Sequence, residues 1–184
     1  MVQIKGAALL ARIELVNKVA PGDGMARVLA RLPKPDRDEL HSVLASKWYP
    51  FDLASRFDEA IVQELAGGDR RFFERIGEAS AERNLNGVHK GFLVAGDPHA
   101  FLARAPQIYS FYYDKGRREY ERTGDTEGVL TTYEAETFSS ADCATVIGWY
   151  RKALEMCGAK KPRIAEEECR AHGGKVCRYR LSWS

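Results

Sequence analysis

No stretch of this chain approaches the ~20 consecutive apolar residues that a membrane-spanning helix requires, so no membrane span is expected. Neither sign of charge is in excess. A formal net charge of +2 is too balanced to argue for nucleic acid or an anionic membrane as partner. The basic pair Arg70-Arg71 therefore reads as a solvated helix face. In the opening run MVQIKGAALLARIELVNKVA, Lys5, Arg12 and Glu14 interrupt any apolar segment and no small-residue cleavage site follows. No export signal is expected, and a cytoplasmic location is. Cysteine is sparse, four in 184 residues. Without export these are expected to be reduced thiols, which favours metal over disulfide. Short C-x2-C pairs are missing. So are a phosphate loop, a dinucleotide fingerprint and a convincing nucleophile–base pair, so the chain is not expected to be an enzyme. No repeat or low-complexity segment stands out.

What is present is an ordinary globular composition, 45% hydrophobic and 29% charged, enough for one domain over residues 1–184. Residues 1–115 read as mainly helical. Ile4, Ala8, Ile13 and Val16 form a helical stripe, and Pro21-Gly22-Asp23-Gly24 ends it. Met25, Val28, Leu29 and Leu32 suggest a second helix, and Asp36 with Glu39 resembles a capping box for a third. Asp52 can cap a helix through Leu53, Phe57, Ile61 and Leu65; Gly67-Gly68 stops it and Asp69 can cap the next. Asp97-Pro98 is another helix start, and Pro106 predicts a kink or break before Ile108.

Residues 116–184 read as a sheet. Val129 to Phe138 is rich in Thr and aromatic residues, as strands are. Ser139 or Ser140 can cap a helix from about Ala141 to Cys157, with Gly158 at its end. Lys161 to Ala171 reads as a strand, His172-Gly173-Gly174 as a hairpin turn, and the alternation of Cys177, Tyr179, Leu181 and Trp183 as the last strand. The fold class expected is α+β, a helical N-terminal part packed on an antiparallel sheet with one crossing helix.

One constellation carries chemistry. Cys143, Glu166, Cys169 and Cys177 follow the pattern C-x22-E-x2-C-x7-C, three soft sulfur donors and a carboxylate of the kind a tetrahedral metal accepts. Cys169 and Cys177 flank the Gly173-Gly174 turn, so antiparallel pairing brings them near each other. Glu166 is the weak member: three residues from Cys169, it points to the opposite face of a flat strand unless a bulge intervenes; otherwise Glu167 or water must serve. Buried structural thiols are the plainer alternative. Cys157 reads as core, and His172 and His99 as surface residues.

The tail from Cys143 to Trp183, with Gly148-Trp149 in its helix, Gly158 at the helix end and the Glu166, Cys169, Gly173, Cys177 segment, resembles the 4-vinyl reductase domain. The versions it resembles accompany the sensor domains of bacterial regulators that respond to aromatics. Over its whole length the chain resembles a set of uncharacterised stand-alone bacterial proteins. The resemblance implies a structural zinc on Cys143, Glu166, Cys169 and Cys177. The wider group includes haem-based nitric oxide sensors and vesicle-tethering subunits. The haem-propionate signature Tyr-x-Ser-x-Arg is missing at Tyr179-x-Leu181 and Ser182-Trp183, so haem is set aside.

The function expected is a non-enzymatic, small-molecule-binding sensor or signalling module with a structural zinc site. The runner-up is a dimeric interaction or scaffold module; a haem-based gas sensor and a reductase subunit come behind. Aromatic residues including Trp48, Phe57, Phe92, Tyr109, Tyr112 and Tyr113 could line a pocket for a small apolar or aromatic ligand. A homodimer is expected, with no nucleic acid partner.

Overall fold

A burst of extended residues followed by the apolar stripe of the opening segment gives β1 (Gln3–Lys5) and α1 (Gly6–Val19). The computed structural model describes residues 1–87 and 89–184. Two short helices follow, α2 (Gly24–Ala30) and α3 (Lys34–Leu40). Strand β2 (Trp48–Pro50) pairs antiparallel with β1, setting Tyr49 opposite Ile4. Then come α4 (Phe51–Ala66), α5 (Phe72–Asn86), α6 (Pro98–Leu102) and α7 (Ala105–Tyr112). The remainder is β3 (Arg117–Arg122), β4 (Glu127–Tyr133), α8 (Ser140–Met156), β5 (Arg163–Glu168) and β6 (Cys177–Ser182). The last four strands form one antiparallel sheet in the order β3-β4-β6-β5. The chain is therefore α+β. Among the described residues no helix is long and apolar enough to cross a membrane.

Local chemistry sets most of the boundaries. Gly67 ends α4 at φ +57°, a conformation glycine adopts without a Cβ penalty. Asp97 caps α6 by accepting from the Ala100 N–H, with Pro98 in the first turn, and Ser139 caps α8 by accepting from the Asp142 N–H. Elsewhere the structure differs from expectation. Asp36 caps nothing: α3 starts behind Pro33, and the Asp36 carboxylate instead holds Arg56 at 2.6 and 2.9 Å. Pro106 opens α7 rather than kinking it, because its missing N–H is no loss in a first turn. β4 stops at Tyr133 because Glu134 turns away with φ +55°. β3, RREYER, has too many charges to signal a strand; it sits at the sheet edge, where charge is tolerated. β5 ends at Glu168, and residues Arg170–His172 form a 3-10 turn before Gly173 at φ +87°.

Two glycines fix the centre of the molecule. α5 and α8 cross at backbone contact: a Cβ on Gly77 would lie 1.9 Å from the Thr145 carbonyl oxygen, and one on Gly148 would lie 1.9 Å from the Glu74 carbonyl oxygen. Both obstacles are backbone and cannot swing aside. Nearby, α1 is tied to α4 by a buried pair, with Arg12 Nε and a terminal nitrogen donating to Asp58 at 2.5 and 2.8 Å and the other terminal nitrogen to the Ala8 carbonyl at 3.0 Å. α1 keeps its apolar residues inside; of its large ones Val19 is the one that is exposed.

Gly148→Ala is expected to lower stability by about 3 kcal/mol, shifting the melting temperature down by about 10 °C, because neither helix can move without repacking the core. A thermal melt matching the parent protein would mean the crossing is not this tight.

Candidate functional site

Two neighbouring clusters of chemistry lie along α8. The first is the thiol trio. The Ser139 cap places Cys143 in the first turn of α8, facing the sheet, and the 3-10 turn brings Cys169 and Cys177 beneath it. Cys143 Sγ lies 3.5 Å from Cys169 Sγ and 3.7 Å from Cys177 Sγ, and all three residues are buried. These separations are far beyond a disulfide bond of about 2.0 Å, and the cysteines are free. The hydrogen bond from Cys143 lowers the Cys177 thiol to about 6, and the same bond pushes Cys143 up. The bulge that Glu166 needed is there: the β5–β6 register shifts between Glu166 and Glu168. Glu166, Cys169 and His172 offer donor atoms within 4.8 Å of one another. Glu168 is occupied elsewhere, accepting from the Lys175 and Val176 N–H groups. Cys157 is buried core.

The second cluster lies in the helical interior. A cavity of about 40 Å³ opens between α1, α5, α7, α8 and β3. That is room for about three water-sized groups. Three buried groups around it, the Tyr112 hydroxyl, Trp149 Nε1 and the Tyr150 hydroxyl, make no hydrogen bond of ordinary geometry, although Tyr112 lies beside Trp149 and Asn84. Buried polar groups are nearly always satisfied, so three orphans on one small cavity are a departure that asks for a ligand. Burial pushes the Tyr112 phenol up, so it remains a neutral donor.

Arg118 forms part of the same wall. It is 5% exposed, donates through Nε to Thr132 Oγ1 at 2.8 Å, and lies over the rings of Tyr109 and Tyr150 at 5.0 and 5.4 Å. Arg12 also lines the cavity, already neutralised by Asp58. Tyr113, another lining residue, donates to Asp142 at 2.8 Å; burial raises that carboxyl to about 6. The larger, open groove between α1 and α5 is lined by mixed charges, among them the ion pair Glu14–Arg83, and has no comparable orphans among the described residues.

The expected aromatic set splits in two. Tyr109, Tyr112 and Tyr113 line the cavity, whereas Phe57, Phe73 and Phe101 are fully buried core. Trp149, Tyr150 and Arg118 were not expected at a site. Their signal is faint: adjacent aromatics on the helix that also carries Cys143, and one of three arginines in a charged run. Of the four histidines, none lines the cavity among the described residues. His99 uses both ring nitrogens, on the Tyr120 hydroxyl and the Asp125 carbonyl. His89 is half-buried among Phe92, Phe111 and Tyr112, and burial lowers its pKa, keeping the imidazole neutral.

The architecture is that of the H-NOX domain. An H-NOX protein variant from K. algicida, in its Fe(II) unliganded state, shares it with a TM-score of 0.76 at 11% identity, over 98% of this chain and 97% of that one. An S. oneidensis H-NOX protein in its Fe(II)NO state gives 0.68 at 15%, over 98% and 99%. A third, from work on heme distortion in the H-NOX family, gives 0.73 at 10%, over 98% and 95%. By sequence, the chain belongs to the family described as a protein of unknown function, DUF2378, whose pattern matches residues 10–184. No curated protein matches it.

These relationships correct the earlier expectations. The 4-vinyl reductase resemblance rested on about forty tail residues; the family and fold relationships span nearly the whole chain and lead elsewhere. With it fall the zinc-containing aromatic-sensor reading and the dimeric scaffold related to vesicle tethering. Zinc was put forward as cofactor and haem set aside, whereas structures that share this fold come from work on heme in H-NOX proteins. A short cysteine spacing outweighed the fold because H-NOX likeness at 10 to 15% identity leaves no readable motif. Haem in this particular chain needs an axial donor and room. His89 offers a donor, but the cavity as packed, about 40 Å³, is far below the ~300 Å³ of even a modest ligand pocket, so haem would need its walls to part.

Tyr150→Phe is expected to stabilise the ligand-free protein by about 1 kcal/mol, since it deletes a buried hydroxyl that has no partner. Chemical denaturation checks this; a loss of stability would mean the hydroxyl is satisfied.

Proposed function

We propose that this chain is a sensor domain, not an enzyme, that takes a ligand of a few atoms into the cavity beside α8. The observation that carries this is the convergence of three unpartnered buried donors, on Tyr112, Trp149 and Tyr150, on one small cavity. The cavity walls come from α1, α7, α8 and β3, so a ligand bridging them would bias how the helical half sits on the sheet, which is what a sensor requires. The scale of the space suits the small gas ligands of the solved H-NOX proteins, one of which is described with NO. Residues 1–184 act as one unit in this reading, and the four free thiols suit a cytoplasmic setting. The test is titration with few-atom probes, formate, formamide and nitric oxide, followed by melting temperature. A saturable rise with at least one probe, lost in Tyr150→Phe, supports the reading; no response to any of the three contradicts it.

A second reading keeps the haem of the solved relatives and is favoured by His89. Its neutral imidazole sits in an aromatic nest that shares Tyr112 with the cavity wall, and a neutral imidazole is the form that ligates iron. When bound, haem would supply the iron that holds a gas. Protein purified from cells fed a haem precursor is expected, on this reading, to show a Soret band that His89→Ala removes. A colourless parent protein contradicts it.

We also propose that Cys143, Cys169 and Cys177, with Glu166 as fourth donor, hold a thiophilic divalent cation. Sulfurs about 2.3 Å from a tetrahedral metal stand about 3.8 Å apart, close to the 3.5 and 3.7 Å found. Cobalt(II) is expected to give intense thiolate charge-transfer absorption that Cys143→Ser abolishes. Cobalt that remains weakly coloured and unprotected from chelators overturns the proposal.

A further inference from the structure

The wall of the cavity carries a buried charge that forms no ion pair with a carboxylate among the described residues. Arg118 is nine-tenths buried and always protonated. Among the described residues no carboxylate lies within ion-pairing distance of it, whereas the neighbouring Arg12 is matched by Asp58. Its Nε is used by Thr132, and the rest of the guanidinium faces the Tyr150 phenol, a neutral group that cannot cancel its charge. Asp142 and Cys177 border the adjoining crevice with Arg118 and feel its charge, but the Asp142 carboxylate accepts from Tyr113 and forms no ion pair with it. The aromatic faces of Tyr109, Tyr150 and Tyr179 around the guanidinium soften its burial without neutralising it. A buried charge normally has a partner.

The other orphans agree in kind. The Tyr112 and Tyr150 hydroxyls can donate, and Trp149 Nε1 can only donate. Each of these three groups can thus donate, beside a wall that carries a positive charge. We propose that the ligand is a small monovalent anion of about three non-hydrogen atoms, of the carboxylate or nitrite kind, held by Arg118 with Tyr112, Tyr150 and Trp149. Its negative charge answers Arg118, its oxygens accept from the phenols and the indole, and its size matches the cavity of about 40 Å³. This rests on the sensor reading above and narrows it to one class of ligand.

Formate and formamide separate the two claims, because they have nearly the same shape and differ in charge. Calorimetric titration of the full chain is expected to show formate binding at least about tenfold more tightly than formamide, as a charge-assisted hydrogen bond exceeds a neutral one. Arg118→Met is expected to abolish that preference. Should that variant not fold, Tyr112→Phe and Tyr150→Phe, which preserve shape, are each expected to weaken formate about tenfold. Formamide binding as tightly as formate overturns the anion and leaves the cavity as a binding site. Formate affinity unchanged in both tyrosine variants places the anion elsewhere and overturns the proposal. Binding of neither probe overturns the proposal and the use of the cavity together.

Discussion

The closest constraint in this molecule is the crossing of α5 and α8, where Gly77 and Gly148 bring two backbones into direct contact. Everything of chemical interest hangs on α8 at that crossing. One residue beyond Gly148 stand Trp149 and then Tyr150, turned into the cavity; one turn before it Thr145 and Val146 line the same space. At the helix start Cys143 reaches the sheet. A side chain at either glycine would force α5 and α8 apart and disturb both the cavity wall and the seat of Cys143. The two clusters are therefore one system, joined by α8 and by the crevice that Arg118, Cys143, Cys177 and Tyr179 line together.

The interior also shows where stability is given up. A core of this size could have been filled with leucine and phenylalanine, as around Phe57 and Phe73. Instead it holds two guanidinium groups, three unpartnered donors and a carboxyl raised to about 6 by burial. Arg12 with Asp58 is self-contained and ties α1 to α4. Arg118 has no such ion pair among the described residues and rests on Thr132 and tyrosine faces instead, a departure from how proteins ordinarily bury charge. Strain of this sort is characteristic of sites that wait for a ligand, because the ligand supplies what the chain withholds.

Much of the fold was legible in the sequence. The caps at Asp97 and Ser139, the glycine stop at Gly67 and the alternation through Cys177 and Trp183 all act locally, over a turn or a strand pair, and local signals survive in a single sequence. Strand β3 did not, because an edge strand is allowed a polar sequence that looks like a loop. The thiol residues were legible as a group, and the bulge that brings Glu166 toward Cys169 was foreseen as a condition. The cavity was not, since Arg118, Tyr112 and Trp149 come from three distant elements and nothing in their spacing announces that they meet. The family was misread for a related reason: a conspicuous cysteine spacing in one tail drew attention from a fold that is written diffusely over the whole chain.

The central claim is that the unpartnered donors beside α8 form a binding site. The chain has three tryptophans, so its indole N–H groups give three resolvable signals in a proton–nitrogen correlation spectrum. With added formate, the account predicts that the Trp149 signal alone, assigned by its loss in Trp149→Phe, moves downfield and saturates as Nε1 gains an acceptor. All three signals standing still while formate is in large excess would contradict it.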